Sequence, residues 1–275
     1  MSQTQSEKAL AFRTLHTQTF VIPNPWDAGS ARVLAALGFK ALATTSAGHA
    51  YTLGRRDGEG GVSREETLAN ARAIVEATDL PVSADLENGF GDRPEDVMKT
   101  IRAASAAGLA GGSIEDATGN KSRPIYDFTL SVERVSAAVE TARALPVPFV
   151  LTARAENFLH GIADLDDTIK RLQAFEKAGA EVLYAPALGN LDNVRAVCNS
   201  VSRPVNVLAG GPDFSVQQLA EAGAKRISLG SSLARIALSA LMRAGEEIRD
   251  HGTFGFAKGG ASYGEIDRLM RGKGA

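Results

Sequence analysis

Short runs rich in Val, Ile, Leu and Ala alternate along this chain with longer stretches whose apolar residues recur every three or four positions. A short unbroken apolar run reads as a buried strand and a period near 3.6 reads as a helix, so the pattern is that of repeated βα units. Strands are predicted at 20–24 (FVIPN), 41–46 (ALATTS), 82–87 (VSADLE), 111–116 (GGSIED), 149–154 (FVLTAR), 181–186 (EVLYAP), 204–209 (PVNVLA) and 226–230 (RISLG). Between them lie amphipathic segments such as RPEDVMKTIRAASAAGL and DLDDTIKRLQAFEKAGA. Gly38, Gly108, Gly179 and Gly223 each stand just before a strand, where a left-handed residue closes a helix without a side-chain clash. Ser63, Asp92 and Asp164 are the expected N-caps of the helices that follow them.

Eight such units in about 230 residues fit a (β/α)₈ TIM barrel, an α/β fold, and leave no linker-like segment for a domain boundary. A doubly wound open sheet is the alternative, but no GxGxxG follows the first strand. One catalytic barrel domain is expected over 1–275, with the barrel at about 20–250 and a C-terminal helical extension at about 251–275. In a lone barrel that short amphipathic extension has little left to cover, so it is expected to pack on another subunit.

Composition narrows the function more than the fold. A hydrophobic content of 44% over 275 residues supports a large core, and a formal net charge of −2 leaves no basic excess for nucleic acid or anionic lipid. The polar N-terminus lacks a secretory core and no run reaches the roughly 18 apolar residues of a membrane span, so a cytoplasmic protein is expected. Cys198 is the single cysteine, which excludes intramolecular disulfides and multi-cysteine zinc sites. Its helical spacing with Leu191, Val194 and Val197 reads as a core thiol.

In a barrel, the C-terminal ends of the strands share the rim where chemistry is placed. That rim would carry Asn24, Asp27, Thr45, Ser46, His49, Asp85, Glu87, Glu115, Asp116, Arg154, Glu156, Tyr184 and Asn206. Asp85 and Glu87, two apart on a strand, would face the same side of it. Carboxylates converging on a low-dielectric mouth repel by several kcal/mol unless a cation or neutralising protons intervene. Hard oxygen ligands without a Cys or His cluster favour Mg²⁺, or Mn²⁺, over zinc. The plainer alternative is that these acids cap helices or pair with Arg154 or Lys121. Arg154 offers a planar fork for a substrate carboxylate, or a structural ion pair with Glu156 or Glu115, or both. Schiff-base chemistry lacks a suitable lysine: Lys40 and Lys225 precede their strands, and only Lys121 could approach the mouth. No GxSxG elbow is present, and His49 and His160 are isolated histidines near the rim.

Five segments, PNPWDAGSARVLAALGFKAL, TTSAGHAYTLGRRDG, PVSADLENGFG, GGSIEDATGNKS and LTARAENF, resemble the isocitrate lyase/phosphoenolpyruvate mutase superfamily in order and spacing. The resemblance implies a modified barrel that exchanges its last helix with a neighbour in homodimers or homotetramers. It also implies Mg²⁺ and chemistry on small 2-oxo or 2-hydroxy carboxylates through an enolate-like intermediate. By matching position, Asp85, Glu87 and Glu115 are the implied metal shell, partly through water. Thr45, Ser46, Ala47 and Gly48 are the implied carboxylate-holding loop, Arg154 the side-chain clamp, and Asp57 an acid near the metal.

Two departures bear on the substrate. The loop after strand four reads DATGNKSRPIYD where isocitrate-type lyases carry Lys-(Lys/Arg)-Cys-Gly-His, so their catalytic thiol is missing. Asn120, Lys121 and Ser122 are closer in character to the gating loop of the mutase and phosphonopyruvate-cleaving branch, and are expected to close over substrate. The late loops, NVLAGGPDFS and LGSS, are either tight turns or a phosphate cradle. A C–C lyase releasing a small 2-oxo acid is the leading expectation. A C–P enzyme of the phosphonopyruvate mutase or hydrolase type, and a non-catalytic metal-dependent 2-oxo acid binding protein, are the alternatives.

Overall fold

The computed structural model describes residues 3–58, 60–209 and 213–271; Gly210 and Gly211 of the late glycine loop lie outside them. The chain runs α1 (Gln5–Leu15), β1 (Phe20–Ile22), α2 (Ala28–Ala36), β2 (Leu42–Ala43), α3 (Ser46–Thr52), α4 (Arg64–Glu76), β3 (Val82–Asp85), α5 (Pro94–Ala106), β4 (Gly111–Glu115) and α6 (Phe128–Arg143). It continues through β5 (Val150–Arg154), α7 (Leu165–Ala178), β6 (Val182–Tyr184), α8 (Leu191–Ser200), β7 (Val205–Leu208), α9 (Val216–Glu221), β8 (Arg226–Ser228), α10 (Ser232–His251) and α11 (Tyr263–Met270). Every predicted strand is present and each is trimmed at one or both ends.

Parallel pairing runs β1-β8-β7-β6-β5-β4-β3-β2. The remaining seam is bridged by the Ala43 amide, which donates to the Pro23 carbonyl at 3.1 Å, and by Asn24 Nδ2, which donates to the Thr44 carbonyl at 3.0 Å. Asn24 Oδ1 in turn accepts from the Leu229 and Gly230 amides at 2.8 and 3.0 Å, so one side chain ties the loops after β1, β2 and β8 together. The eight strands thus form a nearly closed (β/α)₈ barrel. The main apolar core lies between strands and helices, where Leu42, Ile74, Ile101, Leu151, Leu172 and Ile227 are buried.

The barrel interior is organised differently. Phe12 of α1 packs on Ile22, Val150 and Val182 as an apolar floor. Sequence periodicity did not reveal α1, because only Ala9 and Phe12 are buried on it; a Thr4–Glu7 capping box starts it. Above the floor the lining turns polar, with Ser83, Ser113, Thr152, Asn206 and Arg226 buried on the inward-facing side of the strands.

Helix ends largely follow the expected chemistry. Ser63 and Asp164 accept from the amides of Glu66 and Asp167, and Gly38, Gly108, Gly179 and Gly223 all take positive φ (90°, 90°, 106° and 103°). Asp92 departs from expectation. Arg93 is the N-cap of α5 with Pro94 at its first position, and Asp92 Oδ1 instead accepts from the Tyr126 hydroxyl at 2.6 Å. Proline preorganises the helix start and lacks the amide a capping carboxylate would accept from, which frees Asp92 for the tyrosine. Cys198 is packed on the core, where burial pushes its thiol up to about 11.

Beyond the eighth unit, α11 lies against α2 of the same chain, with the Arg32 guanidinium donating to the Met270 carbonyl. The preceding α10 leaves Ile236, Leu238, Leu241, Met242 and Ile248 exposed, and Phe254 and Phe256 follow. No helix of the described residues is long and apolar enough to cross a membrane.

Candidate active site

The β3 strand ends at Asp85, so Glu87 does not share a strand face with it as the spacing suggested. The chain leaves β3 in a turn in which Glu87, Gly89 and Phe90 take φ of 48°, 83° and 59°. Glu87 and Phe90 are non-glycine residues in a costly conformation, held because the surrounding contacts over-determine it. The Glu115 amide donates to the Glu87 carbonyl at 3.0 Å, and the Gly89 amide donates to the Leu86 carbonyl at 2.8 Å. A Cβ on Gly89 would also stand 3.2 Å from the Val97 backbone, so glycine is required there twice over. Beneath the turn, Arg134 donates to the Asn88 and Gly91 carbonyls and stacks on Tyr126, its Cζ 4.3 Å from the ring centre. Strand geometry alone could not foresee this support. It nevertheless delivers Glu87 to the same mouth as Asp85.

At that mouth lies a cleft of about 730 Å³, lined among others by Ser46, Asp57, Glu87, Glu115, Asn120, Arg154, Glu156 and His160. An inner cavity of about 220 Å³ continues from it past Ser46, Ala47, Asp85 and Arg154 toward Asn206 and Arg226. Arg154 is the hub. Its Nη1 donates to Asp85 Oδ1 at 3.0 Å and lies 3.2 Å from Glu115 Oε2, its Nε donates to Glu156 Oε1 at 2.8 Å, and its Cζ sits 4.9 Å over the Tyr184 ring. The structural ion pairs that offered an alternative to a substrate clamp are therefore present.

One guanidinium does not balance this cluster. Burial, then Asp85 and Asp57, push the Glu87 carboxyl up to about 7. Burial likewise raises Glu115 well above the usual carboxylate range and Glu156 to about 6, against the opposing pull of Arg154. Asp57, at the outer edge, is raised by partial desolvation and then by Asp85, with the Ser46 hydroxyl working the other way. Glu156 Oε2 is buried without a partner among the described residues. Such residual repulsion is what an added cation relieves.

Among the described residues no three His, Cys, Asp or Glu side chains converge tightly enough to cage a metal. The donors are all hard oxygens, one or two of them within reach at a time, which suits a divalent ion that keeps most of its water. Asp85 is the candidate direct ligand, with Glu87 and Glu115 as holders of that water.

The loop expected to hold a substrate carboxylate is the start of α3. Thr45 is its N-cap, its Oγ1 accepting from the Gly48 amide at 3.2 Å, while Ser46 and Ala47 line the inner cavity with first-turn amides that have no acceptor within the helix. A Cβ on Gly48 would come within 2.6 Å of the Thr45 methyl, so its glycine serves the close packing of the turn. Asn120 reaches the cleft, its Oδ1 accepting from both the amide and the hydroxyl of Ser122; Lys121 and Ser122 are exposed on the same loop. Asn206 uses both ends of its amide, accepting from Arg226 Nε at 2.8 Å and donating to Ser228 Oγ at 3.0 Å.

Several rim residues turn out to be supports. Asp27 caps α2 by accepting from the Ser30 amide at 2.7 Å. Asp116 accepts from the Glu156 amide at 2.8 Å and pairs with Arg171 at 2.9 Å, fixing the turn after β5. The Thr44 hydroxyl accepts from the Asp85 amide at 2.9 Å. Arg171 and Thr44 carried no sequence signal, since one lies in an ordinary helix and the other just past the end of β2.

The family model described as phosphoenolpyruvate phosphomutase matches residues 12–249. A crystal structure from Burkholderia cenocepacia, provisionally described as a lyase/mutase, is 54% identical and superposes with a TM-score of 0.93 over 96% of this chain and 95% of that one. The structure of oxaloacetate acetylhydrolase with oxalate is 26% identical, with a TM-score of 0.87 over 98% and 95% of the two chains. A 2-methylisocitrate lyase of Halalkalibacterium halodurans is 30% identical over 268 residues, 92% of this chain and 86% of that protein. The chain belongs to the phosphoenolpyruvate phosphomutase family and is an enzyme of the isocitrate lyase/phosphoenolpyruvate mutase superfamily of lyases and mutases.

Proposed function

We propose that the protein is a Mg²⁺-dependent lyase that breaks a C–C bond of a 2-oxo or 2-hydroxy carboxylate and releases a small 2-oxo acid. The observation that carries this reading is the excess of buried carboxylates around Arg154, with Glu87 pushed up to about 7. When bound, Mg²⁺ supplies Lewis-acid stabilisation of the negative charge that develops on a carbonyl oxygen as the bond breaks; Mn²⁺ has the same donor preference. Asp85 would hold the ion and Glu87 and Glu115 its water. Arg154 and the first-turn amides of Ser46 and Ala47 bind and orient the substrate carboxylate, so that the bond to be broken lies toward the outer cleft. Asp57 keeps its proton to higher pH than an ordinary aspartate and is assigned to proton transfer at the carbon left behind. Lys121, on the loop that brings Asn120 to the cleft, is assigned to the same task, with Asn120 and Ser122 closing over the substrate.

The test is release of pyruvate or glyoxylate from 2-methylisocitrate, oxaloacetate and 2,3-dimethylmalate, followed with a coupled dehydrogenase. Product from at least one is expected. None from any, together with phosphate or phosphoenolpyruvate formed from phosphonopyruvate by phosphorus NMR, would replace C–C with C–P chemistry. Tight binding without any product would leave a binding protein.

The exposed apolar residues of α10 support a homodimer or homotetramer built through the C-terminal segment. Sedimentation equilibrium is expected to give a multimer at micromolar protein. A Leu241→Lys and Met242→Lys double variant is expected to give monomer, and a monomeric unaltered protein would contradict the assembly.

A further inference from the structure

The loop that carries Asn120 leaves and rejoins the barrel through a short pairing. Ala117 bridges Ile125 in antiparallel fashion, the Thr118 amide donates to the Pro124 carbonyl at 2.9 Å, and the Tyr126 amide donates to the Asp116 carbonyl at 2.8 Å. Tyr126 is thus the residue on which the loop returns. Its carbonyl accepts from Arg171 Nη1 at 3.0 Å, and the same guanidinium pairs with Asp116, which fixes the turn after β5. The side chain of Tyr126 reaches a third segment, the turn after β3 that delivers Glu87.

Tyr126 is only 5% exposed, and its hydroxyl sits between Asp92 Oδ1 at 2.6 Å and Asn88 Nδ2 at 3.1 Å. A carboxylate only accepts, so the phenol donates to Asp92 and accepts from Asn88. That orients the Asn88 amide, whose Oδ1 accepts from the Phe90 amide at 3.0 Å. Turned over, the Asn88 amide would set its NH₂ against the Phe90 N–H and its oxygen against a phenol whose one proton is committed to Asp92. The three bonds therefore run one way, from Phe90 through Asn88 and Tyr126 to Asp92. Burial and then Asp92 push the phenol up to about 12, so the proton the chain depends on stays in place through the neutral range.

The chain of bonds ends on the strained part of the turn. Glu87 and Phe90 hold φ of 48° and 59°, and Asn88 lies between them. Arg134 holds the main chain of the same turn through the Asn88 and Gly91 carbonyls while stacking on the Tyr126 ring, so both supports meet on one aromatic side chain. A backbone in this region keeps its conformation only while the surrounding contacts over-determine it. Released, the turn would carry the Glu87 carboxyl away from its place beside Asp85 and Glu115. We propose that Tyr126 is a positioning residue for the metal site: through Asn88 it holds Glu87 where that carboxyl takes a water of the ion, and it seats the loop that brings Asn120 to the cleft. Tyr126 itself is not among the described residues lining the cleft. The proposal rests on the metal-dependent reading above and adds to it a residue that touches neither ion nor substrate.

Mn²⁺ binding to the full-length, EDTA-stripped protein tests it, followed by the electron paramagnetic resonance of the free ion well below the unfolding temperature. Loss of a hydrogen-bond partner of a metal ligand costs roughly 10–100-fold in affinity, and the phenol acts further out, so Tyr126→Phe is expected to weaken Mn²⁺ by about five-fold. Phenylalanine keeps the ring that Arg134 stacks on. The route is tested in a Glu87→Gln background, where Asp85 and Glu115 still bind the ion at higher concentration. There Tyr126→Phe is expected to change the affinity by less than about 1.5-fold, because the group it acts through is gone. A merely structural role would lower the melting temperature in both backgrounds and leave both Mn²⁺ affinities unmoved. An unchanged affinity in Tyr126→Phe, or an equal loss in the two backgrounds, overturns the positioning role and leaves the metal reading intact. Failure of the unaltered protein to bind Mn²⁺ overturns both. Should Tyr126→Phe fail to fold, Asp92→Ala breaks the same chain at its far end and is held to the same outcomes.

Discussion

Arg154→Met is expected to abolish measurable turnover and to destabilise the protein. The guanidinium contacts Asp85, Glu115 and Glu156 at 3.0, 3.2 and 2.8 Å, and Glu156 is only 1% exposed. Methionine fills similar volume but leaves those carboxylates facing one another without a cation. Removing one partner of a buried ion pair costs about 3–5 kcal/mol, and protonation of Glu115 and Glu156 limits the loss to the lower end of that range. The catalytic loss is separate, because the planar fork that would orient the substrate carboxylate is gone, a loss of about 10³-fold in kcat/KM. Arg154→Lys keeps the charge without the fork. It is expected to recover most of the thermal stability and little of the activity, and a lysine variant with near-normal kcat/KM would show that charge alone is used. Thermal unfolding and steady-state kinetics on the two variants separate these effects.

Asp85→Asn is expected to do the opposite to stability. Asparagine can still accept from Arg154 Nη1, and removing one negative charge relieves Glu87 and Glu115, both of which Asp85 pushes upward. Folding should therefore be unharmed or improved, while turnover is expected to fall by about 10²–10⁴-fold through loss of the proposed metal ligand. The pH dependence carries the same signature. In EDTA, Glu87 keeps its proton to about 7 in the folded chain and has a reference value of 4.5. Folded protein thus binds more protons than unfolded protein between those values, and stability falls as pH rises from about 4.5 to about 7. Asp85→Asn should flatten that decline, and Mg²⁺ should reverse it in the unaltered protein. Melting temperatures in EDTA and in Mg²⁺ across this window check both statements, and a melting temperature that rises from pH 5 to 7 in EDTA would contradict them.

The strands were legible because each is an apolar run long enough to stand out, and four of them follow a helix that closes on a positive-φ glycine: Gly38, Gly108, Gly179 and Gly223. Asp85, Glu87, Glu115 and Arg154 followed from strand ends in a barrel, Asp57 only from the family resemblance, and the structure gathers all five around one opening. The details that sequence did not disclose are those made by contacts distant along the chain. Asp92 left its helix for Tyr126, thirty-four positions away, and Glu87 reaches the mouth through a left-handed turn supported by Arg134. Arg226 stands at the start of an ordinary-looking strand, and only the register of four neighbouring strands places it in the barrel with Asn206 and Thr152. α1 was hidden for a simpler reason, since two buried positions make no period.

The proposed function requires that turnover depend on a divalent cation held by the carboxylates around Arg154. Its most direct measurement is the rate of 2-oxo acid release from the best substrate after the protein is stripped with EDTA, then during back-titration with Mg²⁺. A rate that disappears on stripping and returns with saturable dependence on Mg²⁺, but does not return for Asp85→Asn, is the predicted result. Full turnover in the stripped protein would contradict it.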